Sequence, residues 1–255
     1  MAASRHADPA AGDERAVQVR TLFSEIAPRY DLLNHVLSLN IDRRWRRRAV
    51  RALGWEVAPR GTYLDACAGT FDLAMELAAR QGFAGRVVGT DFALPMLARG
   101  LPKIHDAAVA PICGDTQKLP FAAATFAGAT VGFGVRNLSD LAAGFRELHR
   151  VLKPGGRLVV LEFTVPPGRV LRAAYLLYFN RILPLVGRLV SGHPWAYTYL
   201  PRSVRDFPGP GELAGHLRSA GFASVEWSLV SGGIAAIHVA SKAGHGSPAG
   251  PRRAP

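Results

Sequence analysis

Two aspartates end apolar stretches of the chain, and the second lies at a distance from the first turn that is typical of a nucleoside-binding site. The stretch Tyr63-Leu-Asp-Ala-Cys-Ala-Gly-Thr-Phe-Asp72 indicates a strand, a tight turn and the start of a helix. Asp91 ends a second apolar stretch, Arg86–Asp91, and lies 22 residues after Gly69. An acid at that distance from the first turn reaches ribose hydroxyls in nucleotide-binding βα units. The spacing therefore predicts a ligand that carries a ribose.

The first turn lacks the glycines of a dinucleotide-binding loop. Gly69 lies between Ala68 and Thr70 and is the single glycine there, so the backbone offers no close approach to a pyrophosphate. The carboxylates of Asp65 and Asp72 would also repel phosphates, whereas they suit a cationic ligand. Together these features resemble the S-adenosylmethionine site of class I methyltransferases. The alternative is an α/β core in which the small residues serve packing alone.

Composition narrows the class of protein and its partners. The chain has 255 residues, 49% of them hydrophobic, and a formal net charge of +12. The positive charge predicts an acidic partner, either nucleic acid or an anionic membrane surface. Cys67 and Cys113 form no disulfide framework and no metal-ligand spacing, which favours a reducing cytosol and no metal site. The polar start of the chain predicts no signal peptide.

Beyond the first strand, apolar stretches of strand length alternate with helical patterns through short links. This alternation predicts a mostly parallel sheet of the Rossmann-like α/β class. The last two strands are joined by the tight turn Ser231-Gly-Gly233 and must form an antiparallel hairpin. Such a reversed hairpin is a feature of the methyltransferase fold and not of dinucleotide folds. The predicted strands are Arg86–Asp91, Ala107–Cys113, Thr125–Phe133, Arg157–Val165, Phe222–Val230 and Ile234–Ser241, and the predicted helices are Leu73–Arg80, Phe92–Gly100, Leu138–Leu152 and Pro210–Ala220.

The flanking segments predict additional helices and two short tails. Residues 1–13 and 243–255 are expected to be disordered tails around one domain, residues 14–242. Within that domain, residues 14–55 form a helical cap and residues 166–206 a helical lid inserted after strand five. The basic run Arg43-Arg-Trp-Arg-Arg-Arg48 lies in the cap, where Asp42 is expected to cap its helix. This run is either a solvated helix face or a contact for lipid phosphates.

Three predicted strand ends converge on the first turn. Asp115 and Thr116 follow the third strand, where the carboxylate can accept a hydrogen bond from an adenine amino group. The fourth strand ends in Gly132-Phe-Gly-Val-Arg-Asn137, whose glycines let the backbone approach a ligand. Arg136 and Asn137 are expected at the same rim. The alternatives are a surface ion pair for Arg136 and a cap of the following helix for Asn137.

Several longer motifs make the resemblance specific, and residues 17–241 resemble the menaquinone/ubiquinone C-methyltransferase family. That family transfers a methyl group from S-adenosylmethionine to a ring carbon of a reduced polyprenyl quinone precursor. The Tyr-Asp-Leu-Leu-Asn and Phe-Gly-Val-Arg-Asn motifs are narrow, whereas Lys-Pro-Gly-Gly occurs widely among class I methyltransferases. The matching stretches are Phe23-Ser-Glu-Ile-Ala-Pro-Arg-Tyr-Asp-Leu-Leu-Asn34, Asp65 to Asp72, Leu119-Pro-Phe121, Phe133-Gly-Val-Arg-Asn137, Val151-Leu-Lys-Pro-Gly-Gly-Arg157, Leu161-Glu-Phe163 and Tyr197-Thr-Tyr-Leu200.

The resemblance implies S-adenosylmethionine as the cofactor, at positions that match the family's pattern. Two positions depart from that pattern: Gly132 stands where relatives often have serine, and Phe71 replaces a common glycine. The Phe71 side chain either narrows the pocket beside the methionine end or packs against the sheet. The predicted cofactor-binding residues are Asp65, Gly69, Thr70, Asp91, Phe92, Asp115, Thr116 and Gly132.

The implied chemistry needs a ring hydroxyl that loses its proton, because the neighbouring carbon then becomes nucleophilic. Arg136 and Asn137 are the predicted catalytic residues, as oxyanion-stabilising and hydroxyl-orienting groups, and Tyr197 is the third. Arginine stays protonated and is a poor base, so a bound water is one way to take the proton. His193 and Tyr199 are further candidates near the hydroxyl. No metal is required.

The expected reaction is the conversion of a demethylmenaquinol to a menaquinol, and three alternatives stay open. The acceptor could instead be the benzoquinol precursor of ubiquinone. The positive charge suggests RNA or a small acidic metabolite, although no aromatic stacking platform or separate basic module is evident, so no nucleic-acid partner is expected. The third alternative is a membrane-binding module on a methyltransferase fold without activity.

The predicted lid also has two compatible interpretations. Its stretch from Val170 to Val190 is apolar but carries several arginines and Pro184, which makes it a poor transmembrane span. It is either a buried pair of helices or a lid with an apolar inner face for a prenyl tail and arginines towards lipid headgroups. A polyprenyl quinol substrate then implies a cytoplasmic protein in peripheral contact with the anionic inner face of the membrane.

Overall fold

A seven-stranded mixed sheet forms the centre of the protein in a computed structural model. The structure describes residues 40–104, 108–182 and 196–244, together with residues 17, 19–21, 23–25 and 27. The strands are β1 Thr62–Ala66, β2 Arg86–Asp91, β3 Val109–Cys113, β4 Phe126–Gly132, β5 Leu152–Phe163, β6 Ser224–Val230 and β7 Ala235–Ser241. Their order in the sheet is β3-β2-β1-β4-β5-β7-β6. The first five strands are parallel to one another, and β7 is antiparallel to both β5 and β6.

Helices cover both faces of this sheet. The helices are α1 Asp42–Ala52, α2 Asp72–Ala78, α3 Leu94–Gly100, α4 Leu141–Val151, α5 Arg169–Leu177, α6 Ala196–Arg205 and α7 Pro210–Ser219. Helix α5 continues into a single π-helical turn, Tyr178–Ile182. Short 3-10 turns lie at Trp55–Val57, Leu101–Lys103, Val135–Asn137 and Ser231–Gly233. The described positions between residues 17 and 25 are helical as well.

The central strand β1 is buried on both sides because its alternate side chains enter two different cores. Leu64 packs into the core formed with α4 and α7, which contribute Phe145 and Leu217. Tyr63 packs into the opposite core, to which α1 contributes Trp45. Successive side chains of a strand point to opposite faces, and a strand covered on both faces is apolar throughout. The architecture is therefore three layers, α/β/α.

The Rossmann-like α/β fold with a reversed terminal hairpin, predicted from the sequence, is confirmed. Helix α4 begins at Leu141 and not at Leu138, because the Asp140 side chain accepts the Ala143 N–H at 2.9 Å and caps the helix. The idea that Asn137 caps this helix is therefore wrong. Asp42 is the first residue of α1, after Ile41 at the N-cap position, and it pairs with Arg46.

The strand order reverses between β1 and β4, and this reversal creates a crevice. Crossovers on the two sides of such a point run over opposite faces of the sheet, so the loops after the two strands diverge. In this protein the diverging loops are residues 67–71 after β1 and residues 133–137 after β4. Ligands of open α/β sheets bind at this place.

Parts of the predicted cap, lid and tails lie outside the described residues. Residues 1–13, residues 28–39 and residues 183–195, which include Pro184 and His193, belong to this group, as do residues 245–255. The domain bounds given above stay predictions. Among the described residues, no helix is both long enough and apolar enough to cross a membrane.

Candidate functional site

A cleft opens at the crevice between the β1 and β4 loops and holds about 640 Å³ of empty space, including its open mouth. Phe23 of the amino-terminal helical segment also lines the cleft, so the cap region contributes to it. Six of the eight predicted cofactor residues line the cleft, namely Gly69, Asp91, Phe92, Asp115, Thr116 and Gly132. Asp65 and Thr70 do not.

Asp91 fixes the turn after β1 to the end of β2. Its Oδ2 accepts a hydrogen bond from the Gly69 N–H at 2.9 Å, and its Oδ1 accepts one from the Ala93 N–H at 2.9 Å. Burial raises the pKa of this carboxyl, while the backbone hydrogen bonds act against that rise. Each carboxylate oxygen has a second lone pair, so a ribose hydroxyl can still donate to it.

Asp65 lies behind the cleft. Its Oδ2 accepts the Ala74 N–H in the first turn of α2 at 3.0 Å, and its Oδ1 accepts the Thr130 hydroxyl at 2.9 Å. Burial raises the pKa of Asp65 from 3.8 to about 7, although both hydrogen bonds act in the opposite direction. These bonds hold β1, β4 and the start of α2 together, which gives Asp65 a positioning role in this structure.

The raised pKa of Asp65 predicts a pH-dependent stability. The folded state holds the proton of the Asp65 carboxyl more tightly than the unfolded chain does. The stability that this proton contributes is therefore complete below about pH 4 and is lost as the pH rises through about 7. The shift corresponds to at most about 4 kcal/mol, at about 1.4 kcal/mol per pKa unit. We expect the free energy of unfolding of Asp65→Asn to depend less on pH between 4 and 8 than that of the unmodified protein.

Urea unfolding of both proteins at pH 5 and pH 8 measures this difference. His238 is buried and its pKa is lowered, so its contribution is lost as the pH falls below about 6.5. That opposing effect is present in both proteins and cancels in the comparison. Parallel pH profiles of the two proteins would show that Asp65 does not titrate in this range.

Asp72 is neutralised by two cations and does not face the ligand cleft. Arg46 of α1 forms an ion pair with one carboxylate oxygen, and Lys103 Nζ lies 3.0 Å from the other. Lys103 also donates to the Thr70 hydroxyl at 2.9 Å, and Thr70 is buried. Asp65 and Asp72 therefore do not form an acidic floor in this structure, because neither residue lines the cleft and Asp72 is paired with two cations.

Phe71 packs behind the turn and leaves the cleft open. Its φ of 68° lies in the left-handed region, and its ring is fully buried. Added Cβ atoms at Gly89 and Gly100 would approach ring carbons to 2.6 and 2.5 Å. The ring therefore fills a space that two glycines leave between β2 and α3. Of the two interpretations of Phe71, packing is the one that the structure supports.

The rim beside the predicted adenine end is braced by Gln117. Its backbone N–H donates to Asp115 Oδ1 at 2.8 Å. Its side-chain oxygen accepts the Ser139 hydroxyl at 2.9 Å and the Asp140 N–H at 2.7 Å. Gln117 thus connects the loop after β3 with the loop before α4 across the cleft. Asp115 is exposed at this rim, and Thr116 is buried beside Cys67.

Asn137 connects the cleft to α6. It lines the cleft, and its Oδ1 accepts the hydroxyl of Tyr199, a residue of α6, at 2.9 Å. In the same orientation of the Asn137 amide, its Nδ2 donates to the Phe133 carbonyl oxygen at 3.4 Å. The backbone of Tyr197 lies in the same helix, and its side chain is outside the described part of the chain.

Arg136 is buried beside the cleft and is paired with a carboxylate on β5. Its NH1 donates to Glu162 Oε1 at 2.7 Å and to the Phe133 carbonyl oxygen at 2.5 Å. The Arg136 N–H also donates to Glu162 Oε2 at 3.3 Å. The guanidinium carbon lies 5.6 Å from the centre of the Phe163 ring. Arg136 is thus in an ion pair, as the alternative interpretation expects, but the pair is buried and not at the surface.

Comparison with known proteins decides the class of this site. A family model described as the ubiE/COQ5 methyltransferase family matches residues 10–242, which is most of the chain. The chain belongs to this family. The family predicted from the sequence motifs is confirmed, and the protein is a methyltransferase by membership.

Curated relatives of this ubiE/COQ5 family chain match it along nearly their whole length. A Thermus thermophilus protein named demethylmenaquinone methyltransferase is 49% identical over 223 residues, which cover 87% of this chain and 100% of the relative. A Roseiflexus sp. protein of the same name is 44% identical over 234 residues, covering 91% and 96%. A Geobacter sp. protein named ubiquinone/menaquinone biosynthesis C-methyltransferase UbiE is 40% identical over 233 residues, covering 90% and 98%.

Solved structures share the fold at low sequence identity. A SAM-dependent methyltransferase from Thermotoga maritima has a TM-score of 0.62 and 17% identity, with 88% of this chain and 99% of that chain covered. A geranyl diphosphate methyltransferase in complex with SAM has a TM-score of 0.56 and 16% identity, covering 78% and 85%. These similarities support the class I methyltransferase fold and nothing finer.

Sequence reasoning missed two residues of the site in this ubiE/COQ5 family member. Gln117 gives no signal in the sequence, because its role depends on a loop more than twenty residues away. Glu162 does give one: it is the single charged residue in the apolar stretch Leu158–Phe163 of a central strand. Carboxylates are almost never buried unless they are paired, so Glu162 predicts a buried cation as its neighbour.

Proposed function

We propose that this protein uses S-adenosylmethionine to methylate a ring carbon of a reduced polyprenyl quinone precursor, and that its acceptor is a demethylmenaquinol. The observation that carries the proposal is the 49% identity to a demethylmenaquinone methyltransferase along that relative's whole length. The cleft at the β1–β4 crevice supplies the matching geometry. Other relatives carry the combined name ubiquinone/menaquinone biosynthesis C-methyltransferase, so a benzoquinol is the competing acceptor.

The residues of the cleft fit S-adenosylmethionine. A buried carboxylate at the end of β2 suits ribose hydroxyls, and the Asp115–Thr116 pair suits the adenine amino group. Gly132 lines the cleft, and an added Cβ there would lie 2.6 Å from Leu73 Cδ1, so this strand end packs closely on α2. The Gly69 backbone borders the same space. When bound, S-adenosylmethionine supplies an activated methyl group.

The protein must then make one ring carbon of the acceptor electron-rich. Loss of the proton from a ring hydroxyl places negative charge on the neighbouring carbon, and a cation beside the oxygen favours that charged form. Arg136 stays protonated and stabilises the developing charge. Asn137 orients the ring hydroxyl, and Tyr199 holds the Asn137 side chain in place. The burial of Arg136 strengthens this electrostatic effect, whereas the paired Glu162 carboxylate offsets part of it.

A methyl-transfer assay tests the proposal directly. The full chain is given labelled S-adenosylmethionine with a reduced demethylmenaquinol, a demethylated benzoquinol or RNA, and the products are analysed by mass. We expect label on a ring carbon of the naphthoquinol, with slower transfer to the benzoquinol. Cofactor binding without transfer to either ring would overturn the proposed acceptor. Absence of cofactor binding would favour the non-catalytic membrane module instead.

We also propose that the protein docks on an anionic membrane surface through α5. Residues 170, 173, 174 and 177 share one face of this helix, and all four are exposed. Val170 and Leu177 are exposed by 86% and 61%. No Asp or Glu occurs between Phe163 and Arg205, whereas this stretch contains the arginines Arg169, Arg172, Arg181, Arg188, Arg202 and Arg205. An apolar stripe flanked by arginines suits the interface of anionic lipids.

Vesicle sedimentation tests this docking surface. We expect the protein to bind vesicles that contain phosphatidylglycerol more strongly than neutral phosphatidylcholine vesicles, and less as salt is raised. The double substitution V170D/L177D should lower binding about tenfold or more, because two apolar side chains that would enter the lipid interface are lost and negative charge is added. Val57→Asp is the matched control, since Val57 is 89% exposed before β1, at the opposite end of the sheet. If V170D/L177D and Val57→Asp lost vesicle binding equally, that result would contradict a role for α5.

A further inference from the structure

Among the residues that the structure describes, the buried hydroxyl of Tyr175 has no hydrogen-bond partner. Tyr175 lies in α5 and is 6% exposed, and its oxygen is inaccessible to solvent. Buried tyrosine hydroxyls nearly always have a partner, because an unmade hydrogen bond costs the full desolvation of the group. Phenylalanine would fill the same space without that cost. The hydroxyl therefore needs an explanation that packing does not provide.

The surroundings of Tyr175 are apolar apart from one buried ion pair. Its ring packs on Phe179, with centroids 4.2 Å apart, and Phe179 in turn contacts Phe163. Val204 of α6 closes the same cluster. Burial raises the pKa of the Tyr175 hydroxyl, while Arg136 lowers it and Glu162 raises it, so this ion pair is its charged neighbour.

A line of aromatic rings leads from this hydroxyl to the cofactor cleft. Phe133 lines the cleft, and its ring centre lies 4.5 Å from that of Phe163. The ring centre of Phe163 lies 6.3 Å from that of Phe179, and the Phe179 ring packs on Tyr175. Arg136 lies over Phe163 in the middle of this line. An acceptor ring with oxygens at opposite ends would pack its faces on such apolar rings, while each of its oxygens needs a polar partner.

We infer that the Tyr175 hydroxyl is a positioning group that hydrogen-bonds one ring oxygen of the quinol acceptor when the acceptor lies under α5. The inference rests on the proposed function and adds a named residue to the acceptor site. A tyrosine hydroxyl both donates and accepts, so it can serve a hydroxyl or a charged oxygen on the ring. Arg136 supports the same oxygen or its neighbour electrostatically. The missing partner in the free protein is then the substrate.

Tyr175→Phe tests this role because it separates binding from folding. Removing an unpaired buried hydroxyl should leave the melting temperature unchanged or raise it, since nothing in the free protein is lost. The same change should raise KM for the reduced demethylmenaquinol on the order of tenfold, the value of one hydrogen bond to a polar ligand. KM for S-adenosylmethionine should not change, because Tyr175 lies outside the cleft.

Tyr63→Phe is the matched control. The Tyr63 hydroxyl is also buried but lies within hydrogen-bonding distance of the Trp55 and Ala58 carbonyl oxygens, at 3.1 and 2.9 Å. This substitution should lower the melting temperature and leave both KM values unchanged. The unmodified protein is measured first, so failure of the proposed function appears there. If it methylates the quinol and Tyr175→Phe keeps its KM, or loses stability as Tyr63→Phe does, the inference is overturned.

Discussion

Substitution of Arg136 by alanine should lower the free energy of unfolding by about 3–5 kcal/mol and methyl transfer by about a hundredfold or more. The stability loss follows because Glu162 would remain buried without its cation, and breaking one side of a buried ion pair costs about this much. The loss in transfer follows because a single oxyanion-stabilising group contributes about 10²–10³ to the rate. Urea unfolding and the methyl-transfer assay measure the two effects separately.

A double substitution distinguishes the role of Arg136 in folding from its role in the reaction. Arg136→Met combined with Glu162→Gln removes both charges at similar volume, and such replacements of buried ion pairs are often neutral for stability. We expect this variant to regain most of the lost stability without regaining methyl transfer. Turnover near the unmodified rate in either variant, with the enzyme folded, would show that Arg136 has no part in the reaction.

Substitution of Asp91 by alanine should weaken S-adenosylmethionine binding by about a hundredfold or more. Two losses add: the ribose hydroxyls lose a charged acceptor, and the N–H groups of Gly69 and Ala93 lose the carboxylate that orders the turn. Hydrogen bonds to charged groups contribute about 1.5–3 kcal/mol each, and about 1.4 kcal/mol is a factor of ten. Isothermal titration with S-adenosylmethionine measures the affinity.

Asp206→Ala is the control for the Asp91 experiment. Asp206 forms ion pairs with Arg202 and Arg205 in which all three side chains are mostly exposed, and such pairs contribute little. It should bind the cofactor as the unmodified protein does. The affinity of Asp91→Asn for S-adenosylmethionine should lie between those of Asp91→Ala and Asp206→Ala, since its amide oxygen can accept one of the two backbone N–H groups. Unchanged affinity in Asp91→Ala would remove Asp91 from the cofactor site.

Local patterns in the sequence were sufficient for the sheet and for most of the cleft. The bounds of β2, Arg86–Asp91, were predicted to the residue, because an apolar run that ends in an acid needs no distant information. The tight turn Ser231–Gly233 likewise determined the direction of the last strand by its length alone. Cleft residues that directly follow strand ends were found for the same reason, since parallel strands bring their ends to one edge.

Pairings between distant residues were beyond the same reasoning. Asp72 and Asp65 suggested an acidic floor because the sequence does not show that Arg46 and Lys103 reach Asp72, or that Thr130 reaches Asp65. The burial of Arg136 depends on Glu162, which lies 26 residues later on the neighbouring strand. Charge and hydrogen-bond satisfaction are properties of the assembled core, and periodicity carries no information about them.

The packing of Phe71 has a consequence for how this sequence can change. Its ring occupies the space in which Gly89 would otherwise accept a side chain, so the tolerance of positions 71 and 89 is linked. A methyl group at Gly89 is compatible with a small residue at position 71 and clashes with the phenylalanine, whereas one at Gly100 would also meet the Thr70 Cα at 2.9 Å. The effects of substitutions at positions 71 and 89 are therefore epistatic, and their order matters. Position 71 must become small before Gly89 can accept a side chain, and each single step is visible in the protein only as a loss of stability.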